Sequence, residues 1–156
     1  AVSAGVPSRP RVHTMTAHAT ARRSFGSDTL TEGVRVVVSP RFLADQAAAQ
    51  DDAAPYVFGY RIRIINESAE PCRLISRHWV ILDADGELNE VRGDGVIGKQ
   101  PHLAPGEQFE YTSFCPLATP WGTMEGSYRF KTDTGRAFDV RIGRFYLVAD
   151  QEPVRR

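Results

Sequence analysis

Beyond Gly33 the apolar residues of this chain recur at every second position. Val34, Val36 and Val38 share one face of a first segment, and Tyr56, Phe58, Tyr60, Ile62 and Ile64 share one face of a second, with Arg61 and Arg63 opposite. Phe109 and Tyr111, Tyr128 and Phe130, and Phe138, Val140 and Ile142 repeat the alternation. A period of two belongs to extended strands whose side chains point in turn to a core and to water. After Ile142 the parity inverts, because the next apolar pair is Phe145 and Leu147. A one-residue slip would turn the rest of the strand to the wrong face, so a β-bulge is predicted at Gly143–Arg144.

The segment Cys72 to Asp83 departs from simple alternation. Trp79, Val80, Ile81 and Leu82 are apolar on both parities, the pattern of a central strand covered on both sides. Turn-forming strings separate the strands: Asn66-Glu67-Ser68, Asp83-Ala84-Asp85-Gly86, Pro105-Gly106, Thr119-Pro120 and Asp133-Thr134-Gly135. Arg41 to Ala54, with Ala44, Ala47, Ala48 and Ala49, leans helical but ends at Pro55; a short helical turn and a loop both fit it. Many short strands at this spacing predict an all-β sandwich or barrel.

Residues 1–32 carry Phe25 as their single aromatic and no sustained periodicity. Such a segment buries too little apolar surface to offset its ordering entropy. It is expected to be a flexible tail, with a folded domain over 33–150 and a short C-terminal tail over 151–156. At 156 residues one domain is expected. Nineteen Lys and Arg balance nineteen Asp and Glu, so no global field favours nucleic acid or an anionic membrane. No apolar run approaches the roughly 20 residues of a membrane helix, and the N-terminus lacks the apolar core of a signal peptide. Two cysteines, Cys72 and Cys115, are too few for a secreted disulfide scaffold and read as thiols in a reducing compartment. A cytoplasmic location is the expectation.

The most conspicuous string is Gly93-Asp94-Gly95-Val96-Ile97-Gly98, a literal G-x-G-x-x-G. A dinucleotide fingerprint must open a helix, and Pro101 and Pro105 prevent one here. What survives is an anion-cradling loop of Arg92, Gly93, Gly95, Gly98 and Lys99, whose amides and flanking cations would face phosphate while Asp94 would repel it. The plainer alternative is a loop whose glycines satisfy backbone angles. Asp83, Asp85, Glu87, Glu90 and Asp94 suggest a metal loop, but the calcium pattern fails in register, and Asp85-Gly86 reads as a hairpin turn. Ser76 and His78 lie about 6.5–7 Å apart on one strand face, too far for a nucleophile pair. No acid–base or nucleophile constellation is present, so no catalytic residue, metal or cofactor is expected.

The strings Tyr56-Val-Phe-Gly-Tyr, Leu74-Ile-Ser-Arg-His-Trp-Val-Ile, Gly93-Asp-Gly-Val-Ile-Gly-Lys-Gln-Pro, Leu103-Ala-Pro-Gly-Glu, Tyr111-Thr-Ser and Thr119-Pro-Trp-Gly-Thr-Met-Glu-Gly, in this order, resemble the ApaG family from about Gly33 to Asp150. The resemblance implies an immunoglobulin- or fibronectin-III-like antiparallel sandwich of about seven strands. It also implies a bacterial cytosolic protein with an indirect link to cobalt and magnesium homeostasis. Pyrophosphate binding at Gly93, Gly95 and Gly98 comes with it as a suspicion. Phe114-Cys115-Pro116 departs from the small glycine that commonly follows the Tyr-Thr-Ser string in that family.

The function expected is therefore a non-catalytic module that binds a protein partner. The alternative is a nucleotide or pyrophosphate sensor using Gly93–Gly98. A phosphoanhydride hydrolase would need a base or metal that the sequence does not offer. Exposed sheet edges would permit a monomer or a weak homodimer.

Overall fold

The computed structural model describes residues 25–44 and 53–149. Among the described residues there are nine strands: β1 (Ser27–Thr31), β2 (Val34–Phe42), β3 (Tyr56–Asn66), β4 (Cys72–Asp83), β5 (Leu88–Asp94), β6 (His102–Leu103), β7 (Gln108–Leu117), β8 (Trp121–Thr132) and β9 (Ala137–Val148). They form two antiparallel sheets, one ordered β1-β2-β3-β7 and the other β5-β4-β8-β9, with β6 paired to the start of β4. The expected sandwich is therefore present, with β1 and the two-residue β6 adding to its count. The helical alternative for Arg41–Ala54 falls largely outside the described residues, and β2 runs to Phe42.

The period-two faces meet between the sheets. Val34, Val36, Val38, Ile62 and Ile64 from one sheet and Phe130, Val140, Ile142 and Leu147 from the other are fully buried or nearly so. Trp79 on β4 is the aromatic hub, with ring centroids 5.5 Å from Tyr60, 5.8 Å from Phe145 and 6.4 Å from Tyr128 in edge-on arrangements, the geometry that aromatic quadrupoles favour. One polar bridge crosses the core, where the Tyr111 and Tyr128 hydroxyls lie 2.5 Å apart.

The bulge anticipated near Gly143 is found. Met124 pairs with Phe145 and Gly126 with Ile142, so Gly143 and Arg144 together oppose Glu125. Phe145 and Leu147 thereby return to the core, each with no exposed surface. A second bulge, at Ile75, was not foreseen: β4 pairs with β8 through Leu74 and then Ser76 with a shift of register. It turns Arg77 and Trp79 inward, where a straight strand continuing from Cys72 and Leu74 would have pointed Ser76.

Two expectations need correction. The tail boundary at residue 32 is wrong, because Ser27–Thr31 form β1, joined to β2 by a two-residue turn at Glu32 and Gly33, both with positive φ. Positive φ at both positions is the type I′ geometry of tight hairpins; residues 1–24 and 150–156 lie outside the described residues. Nor is β4 covered on both sides. Trp79 is buried, but Val80 is half-buried and Leu82 is 38% exposed, because the outer face of this sheet carries polar neighbours and, among the described residues, no covering layer.

Candidate functional site

The two lateral sides of the sandwich are built differently. On one side β1 and β9 are laced together: Ser27 Oγ donates to the Gly143 carbonyl at 2.8 Å, Thr29 Oγ1 to the Arg141 carbonyl at 2.9 Å, and the Tyr146 amide to the Phe25 carbonyl at 2.8 Å. On the other side β7 and β5 are the edges of their sheets and no hydrogen bond joins them among the described residues. Between them lies a cleft of about 420 Å³, with Tyr60, Trp79 and Met124 among its lining residues. Val91, whose register partner is Trp79, faces the space between the sheets and is nevertheless 40% exposed. Phe114, on the opposite lip, is 56% exposed.

Beyond Trp79 the cleft continues into a smaller pocket of about 190 Å³ lined by Tyr60, Arg77, Val96, Ile97, Tyr111 and Ser113. Arg77 is half-buried there, and its Nη1 donates to the Asp94 and Gly95 carbonyls at 2.9 Å each. Tyr60 and Ser113 are register partners on β3 and β7, and both line the pocket. Burial raises the phenol pKa of Tyr60, Tyr111 and Tyr128, and the positive charge of Arg77 opposes the rise at all three. Burial likewise pushes the Cys115 thiol up to about 11, which leaves it protonated and a poor nucleophile near neutral pH. Cys72 and Cys115 are both free and buried.

The five residues singled out in the sequence divide between two places. Arg92 and Gly93 line a different cleft, of about 510 Å³, on the outer face of the β5-β4-β8-β9 sheet with His78, Ser127, Arg129 and Asp139. There Arg92 is near Glu90 at 3.7 Å, and His78 contacts Glu90 at 3.2 Å rather than Ser76. Gly95, Gly98 and Lys99 belong to a hairpin beyond the end of β5. Val96 and Lys99 exchange both backbone hydrogen bonds, at 2.8 and 2.9 Å, across a turn at Ile97 and Gly98. The Gly95 amide donates to the Ile75 carbonyl at 2.8 Å. The amides of Gly95, Val96 and Lys99 are thus committed within the protein. Gly95 is required sterically as well, since a Cβ there would lie 2.3 Å from the Lys99 carbonyl oxygen.

Ile97 holds φ 44° and is 54% exposed. A β-branched residue in this region is a genuine outlier, and it sits at the mouth of the Arg77 pocket. The acidic cluster of the sequence is turn chemistry at its head: Asp83 Oδ1 accepts from the Asp85 and Glu87 amides, both at 2.9 Å. Sequence reasoning missed the Arg77 pocket because the Ile75 bulge, which aims Arg77 inward, leaves no mark in the alternation. No helix among the described residues is long and apolar enough to cross a membrane.

Strand order and site together define an antiparallel β-sandwich domain with one laced side and one open, aromatic-floored side. It belongs to the ApaG family. The ApaG domain profile matches residues 46–132. Protein ApaG of Anaeromyxobacter dehalogenans strain 2CP-C is 49% identical over 122 residues, covering 78% of this chain and 94% of that one. Protein ApaG of Chromobacterium violaceum is 47% identical over 116 residues, covering 74% and 90%. Among solved structures, a Bordetella pertussis protein provisionally named ApaA superposes with a TM-score of 0.70 at 47% identity, covering 76% of this chain and 95% of its own.

Proposed function

We propose that this chain is a non-catalytic protein-binding module that captures an extended segment of a partner along the open β5–β7 side. The observation that carries the reading is the asymmetry of the sandwich. One side is closed by hydrogen bonds between β1 and β9, while the other presents two edge strands, unpaired among the described residues, flanking an apolar-rimmed cleft. An unpaired edge offers a row of backbone donors and acceptors that a peptide can extend as a further strand. Val91, Ile97 and Phe114 supply exposed apolar surface at its lips, where aliphatic and aromatic anchors carry binding energy. Any bearing on cobalt or magnesium balance would then run through the partner.

The test is to select peptides from a random display library and titrate them into isotope-labelled protein. Saturable amide shifts are expected along Leu88–Asp94, Gln108–Leu117 and the Val96–Lys99 hairpin. Saturable shifts at Arg92–Lys99 with ATP or pyrophosphate, and none at the edge strands with any peptide, would overturn the reading in favour of a nucleotide sensor.

A further inference from the structure

We infer that the pocket beside Trp79 is a receptor for an acidic side chain of the captured segment, with Arg77 as the residue that reads it. This rests on the peptide-capture reading above. Arg77 is cationic, half-buried and directed between the sheets, yet no carboxylate pairs with it among the described residues. Among the described residues its acceptors are the Asp94 and Gly95 carbonyls, both taken by Nη1, whereas a guanidinium presents five donors in a fixed fork suited to a carboxylate.

The pleat explains why no acidic residue of the neighbouring strands, among the described residues, reaches it. Glu90, Arg92 and Asp94 pair with Val80, His78 and Ser76 and so face the outside of the sheet, where Glu90 contacts His78 and Arg92. On β7, Glu110 likewise alternates away from the buried Tyr111 and is paired with Arg61. Asn89, Val91 and Gly93 occupy the inward positions of β5; Glu90 borders the wider cleft but not the inner pocket, where Arg77 is the charged residue among those lining it.

Gly93 makes room for it. A Cβ at that position would lie 2.9 Å from Cζ of Arg77. Facing Arg77 are the hydroxyls of Tyr60 and Ser113, which can donate to a second carboxylate oxygen. The pocket, at about 190 Å³, has room for one side chain dropped between the sheets by a main chain lying along the lips. An Asp or Glu side chain inside an extended segment is the occupant that matches this charge and shape.

The experiment uses a Trp121→Phe background, so that Trp79 is the sole tryptophan and its fluorescence reports the cleft. Two blocked peptide pools, identical except for Glu or Gln at one fixed position, are titrated beside a third pool lacking acids but ending in a free carboxylate, and beside inorganic pyrophosphate. The Glu pool is expected to bind roughly tenfold more tightly than the Gln pool, as a buried charge-assisted bond implies. That preference should collapse in Arg77→Gln and shrink in Ser113→Ala, which leaves the Arg77 bonds to the loop untouched. Amide spectra of Val96–Lys99 show whether Arg77→Gln keeps the hairpin; if it does not, Ser113→Ala and Tyr60→Phe decide. Equal binding of the Glu and Gln pools at the cleft overturns the acidic receptor and leaves peptide capture standing. Preference for the free-carboxylate pool or for pyrophosphate overturns it in favour of those anions. A silent Trp79 and silent edge strands with every probe overturn both readings.

Discussion

Asn66 is the polar residue on which the end of the sandwich that holds β6 depends, and replacing it by aspartate should convert a stable domain into a pH-sensitive one. It is fully buried. Nδ2 donates to the Glu70 carbonyl at 2.8 Å and the Leu103 carbonyl at 2.9 Å, while Oδ1 accepts from the Ser68 amide at 3.0 Å and the Ser68 hydroxyl at 2.6 Å. Its main chain binds Glu107 and Gly106, so one residue joins the β3–β4 turn and β6 through its side chain and the β6–β7 turn through its backbone. Asn66→Asp keeps the shape and the two acceptor bonds but faces two carbonyl oxygens with a group that has at most one proton to give. A neutral acid loses one donated bond, a cost of about 1–2 kcal/mol. Ionisation adds a desolvated negative charge beside two carbonyl dipoles, so the folded state holds the proton and the acid's folded pKa rises above its unfolded value near 3.9. A raised folded pKa gives stability that is fully present below about pH 4 and is lost as pH climbs through the folded pKa, at up to ~1.4 kcal/mol per pH unit. With a shift of about two units the total deficit near pH 7 is about 4 kcal/mol, a large share of a typical domain's stability. Urea unfolding of the parent, Asn66→Asp and Asn66→Ala between pH 4 and 8 tests this. The aspartate variant should diverge from the alanine variant as pH rises; parallel profiles would refute the assignment of two donated bonds to Nδ2.

Ile97→Asn should raise stability by about 1 kcal/mol, since asparagine tolerates the left-handed region that costs isoleucine roughly 1–2 kcal/mol, and it should weaken peptide capture; an unchanged or lower melting temperature would show that the turn at Ile97 and Gly98 is not strained. Burial raises Cys115 to about 11 and raises Cys72, so the folded chain holds these protons more tightly and stability should fall as pH rises from about 9 towards 11. Cys115→Ala should flatten that fall in urea midpoints, and an unaltered slope would remove Cys115 from the account.

What the alternation could reveal was the interior, and it did so where both sides of a strand differ in polarity. Val34 to Val38, Tyr56 to Ile64 and Phe138 to Leu147 were legible, including the bulge at Gly143–Arg144 that the parity change required. β1 was not legible because its inward side is Ser27, Thr29 and Thr31. Ser27 and Thr29 donate to β9 carbonyls, and Thr31 Oγ1 accepts from the Arg141 amide at 3.2 Å. A strand that docks by hydroxyls carries no apolar period. β4 misled in the opposite direction, since Val80 and Leu82 are apolar without being covered. The cleft was illegible for a third reason: it is formed by β5 and β7, brought close by crossovers between sheets, and its cation is aimed by a bulge whose extra residue, Ile75, looks like any other apolar position.

The glycine string illustrates how one motif can be read at two depths. As a string it suggests amides offered to a phosphate. In the fold, the amides of Gly95, Val96 and Lys99 already have carbonyl partners at 2.8–2.9 Å, and the glycines answer to neighbours. Gly93 lets the guanidinium of Arg77 lie against β5, Gly95 lets Lys99 close the hairpin, and Gly98 shares the type I′ turn that holds Ile97 outward. Under the acidic-receptor proposal the string would bear on an anion by a different route, because it positions a side-chain cation at the mouth of a cleft instead of presenting backbone dipoles. Arg77 lines both the cleft between the sheet edges and the outer cleft beside Arg92 and Gly93, so the competition between acidic peptides and pyrophosphate decides whether an extended chain or a free anion is what it reads.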